Sequence, residues 1–270
     1  VILAGGMGSR LGRLKYDIRI PVMGIQATAL RTAMSRVAGL GRTFEPPIWY
    51  LVPPSRSGGV VGSGVAMSGF EIDERLRVLV QDDWIQSDPM FAPVGDLRCM
   101  GTGNLVRKLW MDSGFTDWVD AGGKYVYVLA VDNVFANPDA AMLGDHILSG
   151  ADATWETVAR DPSDSNEHAL VWNAGRQLAI RPNRLPDGFD HDGLTHTVTN
   201  TAIINVEALQ RHREHRFRLE RVKSLVDKQV RLHLEQDLQE LTEVMNCRFV
   251  KFPRDLRFLP MRTLDDVVRI

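Results

Sequence analysis

The sequence predicts an α/β domain whose sheet is mostly parallel and is flanked by helices. Two observations support this fold class. Short apolar runs of strand length recur along the chain, and stretches with helical spacing or loop composition separate them. The runs are largely apolar throughout, as expected for strands that are buried on both faces of a parallel sheet. Ligands of such sheets bind at the carboxyl ends of the strands, so the residues after each run are the first functional candidates.

Apolar and β-branched runs predict the strands in chain order. They cover residues 1–4, 48–52, 76–80, 125–131, 153–159, 169–172, 202–206 and 248–252. The runs at 153–159 and 169–172 are expected to pair with each other. Gln81 follows the third run, and Asp132 and Asn133 follow the fourth, which makes these three polar residues candidates for a ligand site.

Helices are expected where apolar residues recur every three or four positions. This spacing predicts a helix at about 25–40 and another over 226–245, and a tight turn at 101–104 leads into a third from about Leu105. Residues 53–69 and 182–196 have the glycine-, serine- and proline-rich composition of loops.

Composition excludes several classes of protein. The chain has 270 residues, of which 44% are hydrophobic and 24% charged, as in ordinary globular domains. The formal net charge of −2 argues against nucleic acid or an anionic membrane as a partner. The longest apolar run, at 125–131, is far shorter than the roughly 20 residues of a membrane helix. The two cysteines form no disulfide framework, so we expect a cytoplasmic protein.

Both ends of the chain lie in apolar sequence. The chain begins at Val1, without a methionine or a signal peptide, and it ends at Ile270 without a polar tail. We therefore expect residues 1–270 to be a single domain from the middle of a longer protein.

A glycine-rich turn follows the first strand. Residues 3–12 read LAGGMGSRLG. Adjacent glycines let backbone N–H groups approach an anion without a Cβ in the way, and Arg10 adds a bidentate phosphate donor. The spacing fits neither the GxxxxGK[ST] loop nor the dinucleotide-binding GxGxxG turn. The pattern by itself therefore leaves phosphate binding and a plain tight turn as alternatives.

Together with four later segments, this turn resembles the signature segments of the UDP-sugar pyrophosphorylases. The later segments are GTGN at 101–104, VDN at 131–133, TNT at 199–201 and RDLRFLPMR at 254–262. They follow one another in the order of that family and span nearly the whole chain. The resemblance implies a Rossmann-like nucleotide-diphospho-sugar transferase fold, and it makes residues 1–270 a nucleotidyltransferase catalytic domain.

The resemblance also implies a reaction in which UTP and a sugar 1-phosphate give a UDP-sugar and pyrophosphate. A phosphate oxygen of the sugar attacks the α-phosphorus in line, so the protein contributes positioning and charge neutralisation. Glucose 1-phosphate is the expected sugar substrate, because the RFLP segment resembles the UDP-glucose enzymes. The SRLG of the first turn is more similar to the N-acetylhexosamine enzymes, which keeps their substrates as an alternative. A relative that has lost catalysis and only binds a nucleotide or a partner is another.

Site residues follow from the matching segments. Asp132 is expected to hold Mg²⁺, a hard cation that takes oxygen ligands. Cationic side chains expected to act on the phosphates during catalysis are Arg10, Lys15 and Arg262. Residues expected to bind the nucleotide are Leu3, Ala4, Gly5, Gly6, Gly8, Gln81, Gly101 and Gly103, with the Gln81 amide reading the uracil edge. Asn133 and Asn200 are assigned to the sugar side, Asn133 as a residue that orients its neighbours.

Three segments depart from the family pattern or are not explained by it. Lys15 stands in a shortened loop, where a Pro-Lys pair is usual. Residues 166–169 read NEHA where the family carries paired glycines near the sugar. Residues 211–231 contain eight Lys or Arg and three acidic residues. A nucleic-acid site would need stacking aromatics there as well, so a solvated helical face is the preferred interpretation.

Overall fold

The computed structural model describes residues 1–3, 19–22, 25–28, 46–52, 76–165, 167–226 and 229–261. The strands within these ranges are β1 (Ile2–Leu3), β2 (Arg19–Val22), β3 (Ile25–Thr28), β4 (Ile48–Val52), β5 (Leu76–Val80), β6 (Asp83–Ser87), β7 (Pro93–Cys99), β8 (Tyr125–Ala130), β9 (Ala153–Ala159), β10 (Ala169–Asn173), β11 (Arg176–Ile180), β12 (His196–Asn205), β13 (Glu220–Val226), β14 (Gln229–Glu235) and β15 (Cys247–Phe252). The α-helices are α1 (Leu105–Met111), α2 (Ser113–Asp120), α3 (Ala140–Ser149), α4 (Val206–Arg211) and α5 (Arg254–Arg257). Single 3₁₀ turns occupy Pro162–Asp164, Pro182–Arg184 and His191–Gly193, and a longer one spans Leu238–Glu243.

The main sheet is mixed, and its centre is parallel. Its strand order is β11-β10-β12-β8-β1-β4-β5, and β9 pairs with β12 and β15 beside this path. Strands β8, β1, β4 and β5 run parallel, while β12 runs antiparallel to β8. The predicted α/β class with a mostly parallel mixed sheet is therefore confirmed.

Strand direction brings distant parts of the chain to one edge of this sheet. The carboxyl ends of β1, β4, β5 and β8 lie there because these strands are parallel. In the antiparallel β12, Ala202 lies opposite Val128, so the residues before Ala202 reach the end of β8. Strand β9 is antiparallel to β12, and β15 is parallel to β9, so both of these strands also end at this edge. We call it the carboxyl edge.

Helices α1 and α2 cover part of the sheet through aromatic packing. Phe115 of α2 is fully buried, and its ring meets the rings of Trp49 and Trp110 edge-on at 5.4 and 5.1 Å. The Asp112 carboxylate caps α2 by accepting from the Phe115 N–H at 2.9 Å, and it also accepts from Trp49 Nε1 at 3.0 Å. The cap therefore fixes both the start of α2 and its contact with β4.

The helix predicted over 226–245 is wrong. Strands β13 and β14 form an antiparallel hairpin there, followed by the 3₁₀ turn at Leu238–Glu243. Val230 and Leu234 lie four positions apart on one face of β14, and this spacing suits a strand as well as a helix. Leu238 and Leu241, the next apolar residues of the predicted stripe, lie in the 3₁₀ turn. This hairpin belongs to a second, four-stranded antiparallel sheet of order β13-β14-β6-β7.

The basic stretch at 211–231 is accordingly not a helical face. Among the residues that the structure describes, Arg211 pairs with Asp152, and Arg218 pairs with Glu240 and Glu243. Several of its charges are thus used in ion pairs within the fold.

Two further expectations need correction, while most of the predicted strands are confirmed. Residues Ile25–Thr28 form strand β3, which pairs with β2, so the helix predicted at 25–40 does not begin there. The rest of that helix and the loop at 53–69 lie outside the described residues. Strands β9 and β10 exist, but β10 pairs with β11 and β12, not with β9. Among the described helices, none is long and apolar enough to cross a membrane.

A buried histidine links α3 to the sheet. His146 is 1% exposed, its Nδ1 lies 2.8 Å from Thr154 Oγ1, and its Nε2 lies 3.0 Å from Asn205 Oδ1. The Asn205 amide donates to the Ala151 carbonyl at 2.8 Å, which turns its own carbonyl toward the ring. The imidazole therefore carries its proton on Nε2 and accepts the threonine hydroxyl at Nδ1. Burial lowers the pKa of His146, which keeps this neutral form.

We expect the free energy of unfolding to fall between pH 7 and pH 5, in part because of His146. Its pKa is lower in the folded state, so the unfolded chain takes up the proton first as the pH decreases. His146→Gln should flatten this part of the pH dependence, measured by urea unfolding at pH 5, 6 and 7. The exposed His191 provides the control, and His191→Gln should keep the wild-type slope. An unchanged slope in His146→Gln would contradict the assignment.

Candidate active site

Gln81 lies at the end of β5, on the carboxyl edge. Its side chain is 2% exposed, and its Nε2 donates to the Gly101 carbonyl at 2.7 Å. Within the described part of the chain, the buried Oε1 atom has no hydrogen-bond partner. An unsatisfied buried carbonyl costs about 1 to 3 kcal/mol, so this acceptor is suited to a donor from a ligand.

The glycine turn before α1 packs against Gln236. Gly101 has a φ of +83°, and a Cβ at this position would lie 2.5 Å from the Gln236 carbonyl oxygen. A Cβ at Gly103 would lie 2.7 Å from Gln236 Cβ, and the Gly103 N–H donates to the Gln236 carbonyl at 2.8 Å. The close approach of two backbones thus explains both glycines. Contact between this turn and a nucleotide stays a prediction.

Gly101→Ala should lower the free energy of unfolding by at least about 2 kcal/mol. The substitution adds steric conflict with Gln236 to the strain of a positive φ. Gly175 is the matched control, because it also has a φ of +83° but has open space around it. Urea unfolding should therefore show a clearly larger loss for Gly101→Ala than for Gly175→Ala. Equal losses of unfolding free energy in the two variants would mean that the contact with Gln236 does not restrict the residue at position 101.

Asp132 and Asn133 follow β8 and hold the segment 257–261 across the end of that strand. The buried Asn133 amide donates to the Arg257 carbonyl at 2.8 Å, and its Oδ1 accepts from the Leu259 N–H at 3.0 Å. The Met261 N–H donates to the Asp132 carbonyl at 2.7 Å. Asn133 therefore has the contacts of an orienting residue, and its assignment to the sugar stays a prediction. Arg262, next in the sequence, lies outside the described residues.

The end of β1 lies beside Asp132. Leu3 is 5% exposed, and its carbonyl accepts from the Val131 N–H at 2.9 Å. The last described residue of this part of the chain, Leu3, thus lies next to Val131, the residue before Asp132. Six predicted site residues in the segment after Leu3 lie outside the described residues: Ala4, Gly5, Gly6, Gly8, Arg10 and Lys15.

Asn200 reaches the carboxyl edge from the antiparallel strand β12. The pairing of β12 with β9 shifts between Val198 and Ala202, and Asn200 within this bulge has a φ of +62°. Asparagine is one of the few residues that adopt this left-handed conformation readily. Bulges re-aim side chains and are common beside active sites. The Asn200 Oδ1 accepts a hydrogen bond from Gln239 Nε2.

A buried ion pair below this bulge was not predicted. Glu156 is 1% exposed, and its Oε2 accepts from Arg257 Nε at 2.8 Å, while Oε1 accepts from Thr199 Oγ1 at 2.8 Å. Burial raises the pKa of Glu156, and Arg257 opposes that shift. The Arg257 guanidinium also lies 4.4 Å from the Phe252 ring centre. A charged residue inside the apolar run at 153–159 was the signal that could have revealed the pair.

A second set of charges surrounds Asp237, just before the 3₁₀ turn at Leu238–Glu243. Its carboxylate accepts two hydrogen bonds from Arg181, both at 2.6 Å, and lies 3.3 Å from His168 Nε2. Although burial opposes it, His168 and Arg181 hold the pKa of Asp237 below its usual range. His168 belongs to the segment that departs from the family's paired glycines. This chain thus has an ion-pair network next to that segment.

The described residues contain no group of three or more His, Cys, Asp or Glu side chains that could hold a metal ion. Magnesium usually keeps several waters and is bound by one or two carboxylates together with substrate phosphates. A single carboxylate at Asp132 would therefore fit an ion that arrives with a nucleotide.

Comparisons with known proteins show the family and the fold. The family model described as UTP–glucose-1-phosphate uridylyltransferase matches residues 85–270, which is more than half of the chain. The chain is similar to the structure of UDP-glucose phosphorylase from Trypanosoma brucei, with a TM-score of 0.78 and 20% identity. A mutant of UDP-glucose pyrophosphorylase from Leishmania major, in complex with UDP-glucose, gives a TM-score of 0.79 at 18% identity.

A protein assigned as UDP-N-acetylglucosamine pyrophosphorylase from Entamoeba histolytica has a TM-score of 0.78 and 15% identity. Coverage of this chain is 97% for the Entamoeba structure and 99% for the other two. The chain spans 75% of the length of the Entamoeba protein and 64% of the length of the other two. At these identities the structural likeness shows the fold. No match was found among curated protein sequences.

Proposed function

Because the chain belongs to the UTP–glucose-1-phosphate uridylyltransferase family, we propose that residues 1–270 are the catalytic domain of a UDP-sugar-forming nucleotidyltransferase. UTP and a sugar 1-phosphate are its substrates, and a UDP-sugar and pyrophosphate are its products. The observation that carries the proposal is the carboxyl edge. There, Gln81, the Asp132–Asn133 pair with the segment 257–261, and Asn200 come from separate parts of the chain to one side of the sheet.

The uracil site is proposed at Gln81. Its Nε2 donates to the Gly101 carbonyl, so Oε1 is the atom that is available to bind the base. The N3–H of uracil is a donor that would satisfy this buried acceptor. Cytosine has no hydrogen at N3, which gives the site a physical basis for choosing uridine nucleotides.

The phosphates are proposed to lie between Asp132 and the glycine-rich turn after Leu3. Asp132 would hold Mg²⁺, which neutralises phosphate charge when it is bound. The Met261 N–H donates to the Asp132 backbone carbonyl at 2.7 Å. Arg262, the next residue in the sequence, is proposed to act on the same phosphates. These residues supply positioning and charge, which is what an in-line phosphoryl displacement requires.

Glucose 1-phosphate is the proposed sugar substrate, and the match to the UTP–glucose-1-phosphate uridylyltransferase model supports it. An N-acetylhexosamine 1-phosphate is the second candidate, favoured by SRLG in the first turn and by the likeness to the Entamoeba structure. A comparison of the sugar 1-phosphates in one assay distinguishes the two candidates.

The test measures pyrophosphate release by the full chain with UTP and Mg²⁺. Glucose, galactose, N-acetylglucosamine and N-acetylgalactosamine 1-phosphates are compared, with CTP in place of UTP as the base control. We expect turnover that is fastest with glucose 1-phosphate and weak with CTP. No turnover with any sugar, in folded protein that binds UTP, would overturn the catalytic proposal in favour of a relative that only binds the nucleotide.

A further inference from the structure

We propose that Gln239 is a positioning residue that fixes the orientation of the Asn200 amide and so decides what Asn200 offers to the sugar. The inference rests on the proposed function, because it concerns the sugar side of the same site. In this arrangement, Asn200 presents N–H donors to a sugar hydroxyl and keeps its carbonyl on the protein side.

The first support is the contact itself. Gln239 is 3% exposed, and its Nε2 donates to Asn200 Oδ1. A donor on this carbonyl selects one of the two orientations of the asparagine amide, in which the NH₂ group points away from Gln239. The orientation of the Asn200 amide is therefore not determined by the ligand alone.

The second support is the backbone at Asn200. The left-handed φ of +62° lies inside the bulge of β12, where the alternation of side chains along the strand is broken. The preceding residue, Thr199, is anchored to Glu156 at 2.8 Å. Such conformations persist only where the surrounding structure determines them, and they cluster at ligand sites.

The third support is where Gln239 comes from. It lies on the 3₁₀ turn at Leu238–Glu243, which begins two residues after Gln236, the residue that packs against Gly101 and Gly103. The Leu238 N–H donates to Thr102 Oγ1 at 3.1 Å. One short segment therefore contacts the proposed nucleotide turn at one end and the proposed sugar residue at the other. This placement allows it to set the distance between the two halves of the site.

Ligand binding tests the inference without requiring turnover. Titration calorimetry compares UDP-glucose with UDP, which lacks the sugar, on the full chain and on Gln239→Met. The variant keeps the volume and removes the donor. We expect UDP-glucose affinity to fall about five- to tenfold, as for the loss of one hydrogen bond, and UDP affinity to change less than about twofold. Gln239→Glu replaces the donor to Asn200 with an acceptor. It should weaken UDP-glucose binding at least as much as Gln239→Met does.

Two controls separate positioning from a merely structural role. Thr154 lies at the start of β9, away from the carboxyl edge, where its fully buried Oγ1 contacts His146 Nδ1 at 2.8 Å. Thr154→Val should lower the unfolding midpoint and leave the ratio of UDP-glucose to UDP affinity unchanged. The double variant Asn200→Ala/Gln239→Met should bind UDP-glucose no more weakly than Asn200→Ala alone, because Gln239 acts through Asn200.

Additive losses in the double variant would overturn the inference, as would equal losses for UDP and UDP-glucose in Gln239→Met. The turnover assay remains separate. If no turnover is seen but UDP-glucose still binds and its binding depends on Gln239, the catalytic proposal is overturned and the positioning role of Gln239 is retained.

Discussion

Asp132→Ala should reduce uridylyl transfer by about a thousandfold while the protein remains folded. The carboxylate is the proposed ligand of the ion that neutralises the phosphates, and the charge that it would hold is needed most in the transition state. The contact that joins Asp132 to Met261 uses the Asp132 backbone carbonyl, so alanine retains it. The measurement is the initial rate of pyrophosphate release at saturating UTP, together with the unfolding midpoint.

Asp117→Ala is the control for this prediction, because Asp117 is exposed on α2 away from the carboxyl edge. It should keep the wild-type rate. Asp132→Asn, which preserves shape and removes charge, should resemble Asp132→Ala. An Asp132→Ala rate within tenfold of the wild type would show that the carboxylate does not act in the reaction.

Glu156→Leu should have the largest effect on stability, a loss of about 3 to 5 kcal/mol in the free energy of unfolding. The substitution removes the carboxylate that the buried Arg257 guanidinium contacts at 2.8 Å and leaves it with the more exposed Asp139 at 3.3 Å. Because whole domains are stable by only about 5 to 15 kcal/mol, urea unfolding will register this change clearly. The double variant Glu156→Leu/Arg257→Met should recover most of the loss, because it removes both charges together.

The exposed pair of Arg248 and Asp145 serves as the comparison. Their atoms lie 2.8 Å apart, with side chains 49% and 41% exposed. Asp145→Ala should cost less than about 1 kcal/mol, since solvent screens such a pair. If Glu156→Leu lowered the free energy of unfolding by no more than Asp145→Ala does, burial of the ion pair between Glu156 and Arg257 would not contribute to stability.

The parts of the fold that local sequence could predict are the buried strands. The runs at 48–52, 76–80 and 125–131 are each a strand in the structure. In β4 and β8 adjacent residues, such as Ile48 and Trp49 or Val128 and Leu129, are both buried, as expected where both faces of a sheet are covered. The carboxyl ends of these runs also led directly to Gln81 and Asp132.

Helix and strand were confused at Val230 and Leu234 on β14, because an interval of four residues suits both. Val226 belongs to the preceding strand, β13, and local spacing did not reveal the hairpin between them.

The contacts that assemble the site could not be predicted, because they join residues far apart in the sequence. The Asn133 side chain holds Leu259, and Glu156 holds Arg257, across more than a hundred residues in each case. The glycines at 101 and 103 suggested a ligand turn, but their need for space comes from Gln236. The bulge that presents Asn200 depends on pairing with β9, which no local pattern encodes.

A crystal structure of the full chain with UDP-glucose would show whether the carboxyl edge is the substrate site. We expect the uracil N3–H to donate to Gln81 Oε1, the diphosphate to lie between Leu3 and Asp132, and a glucose hydroxyl to contact the Asn200 amide. UDP-glucose bound away from the carboxyl edge, or with its uracil and glucose ends exchanged, would rule out this binding mode.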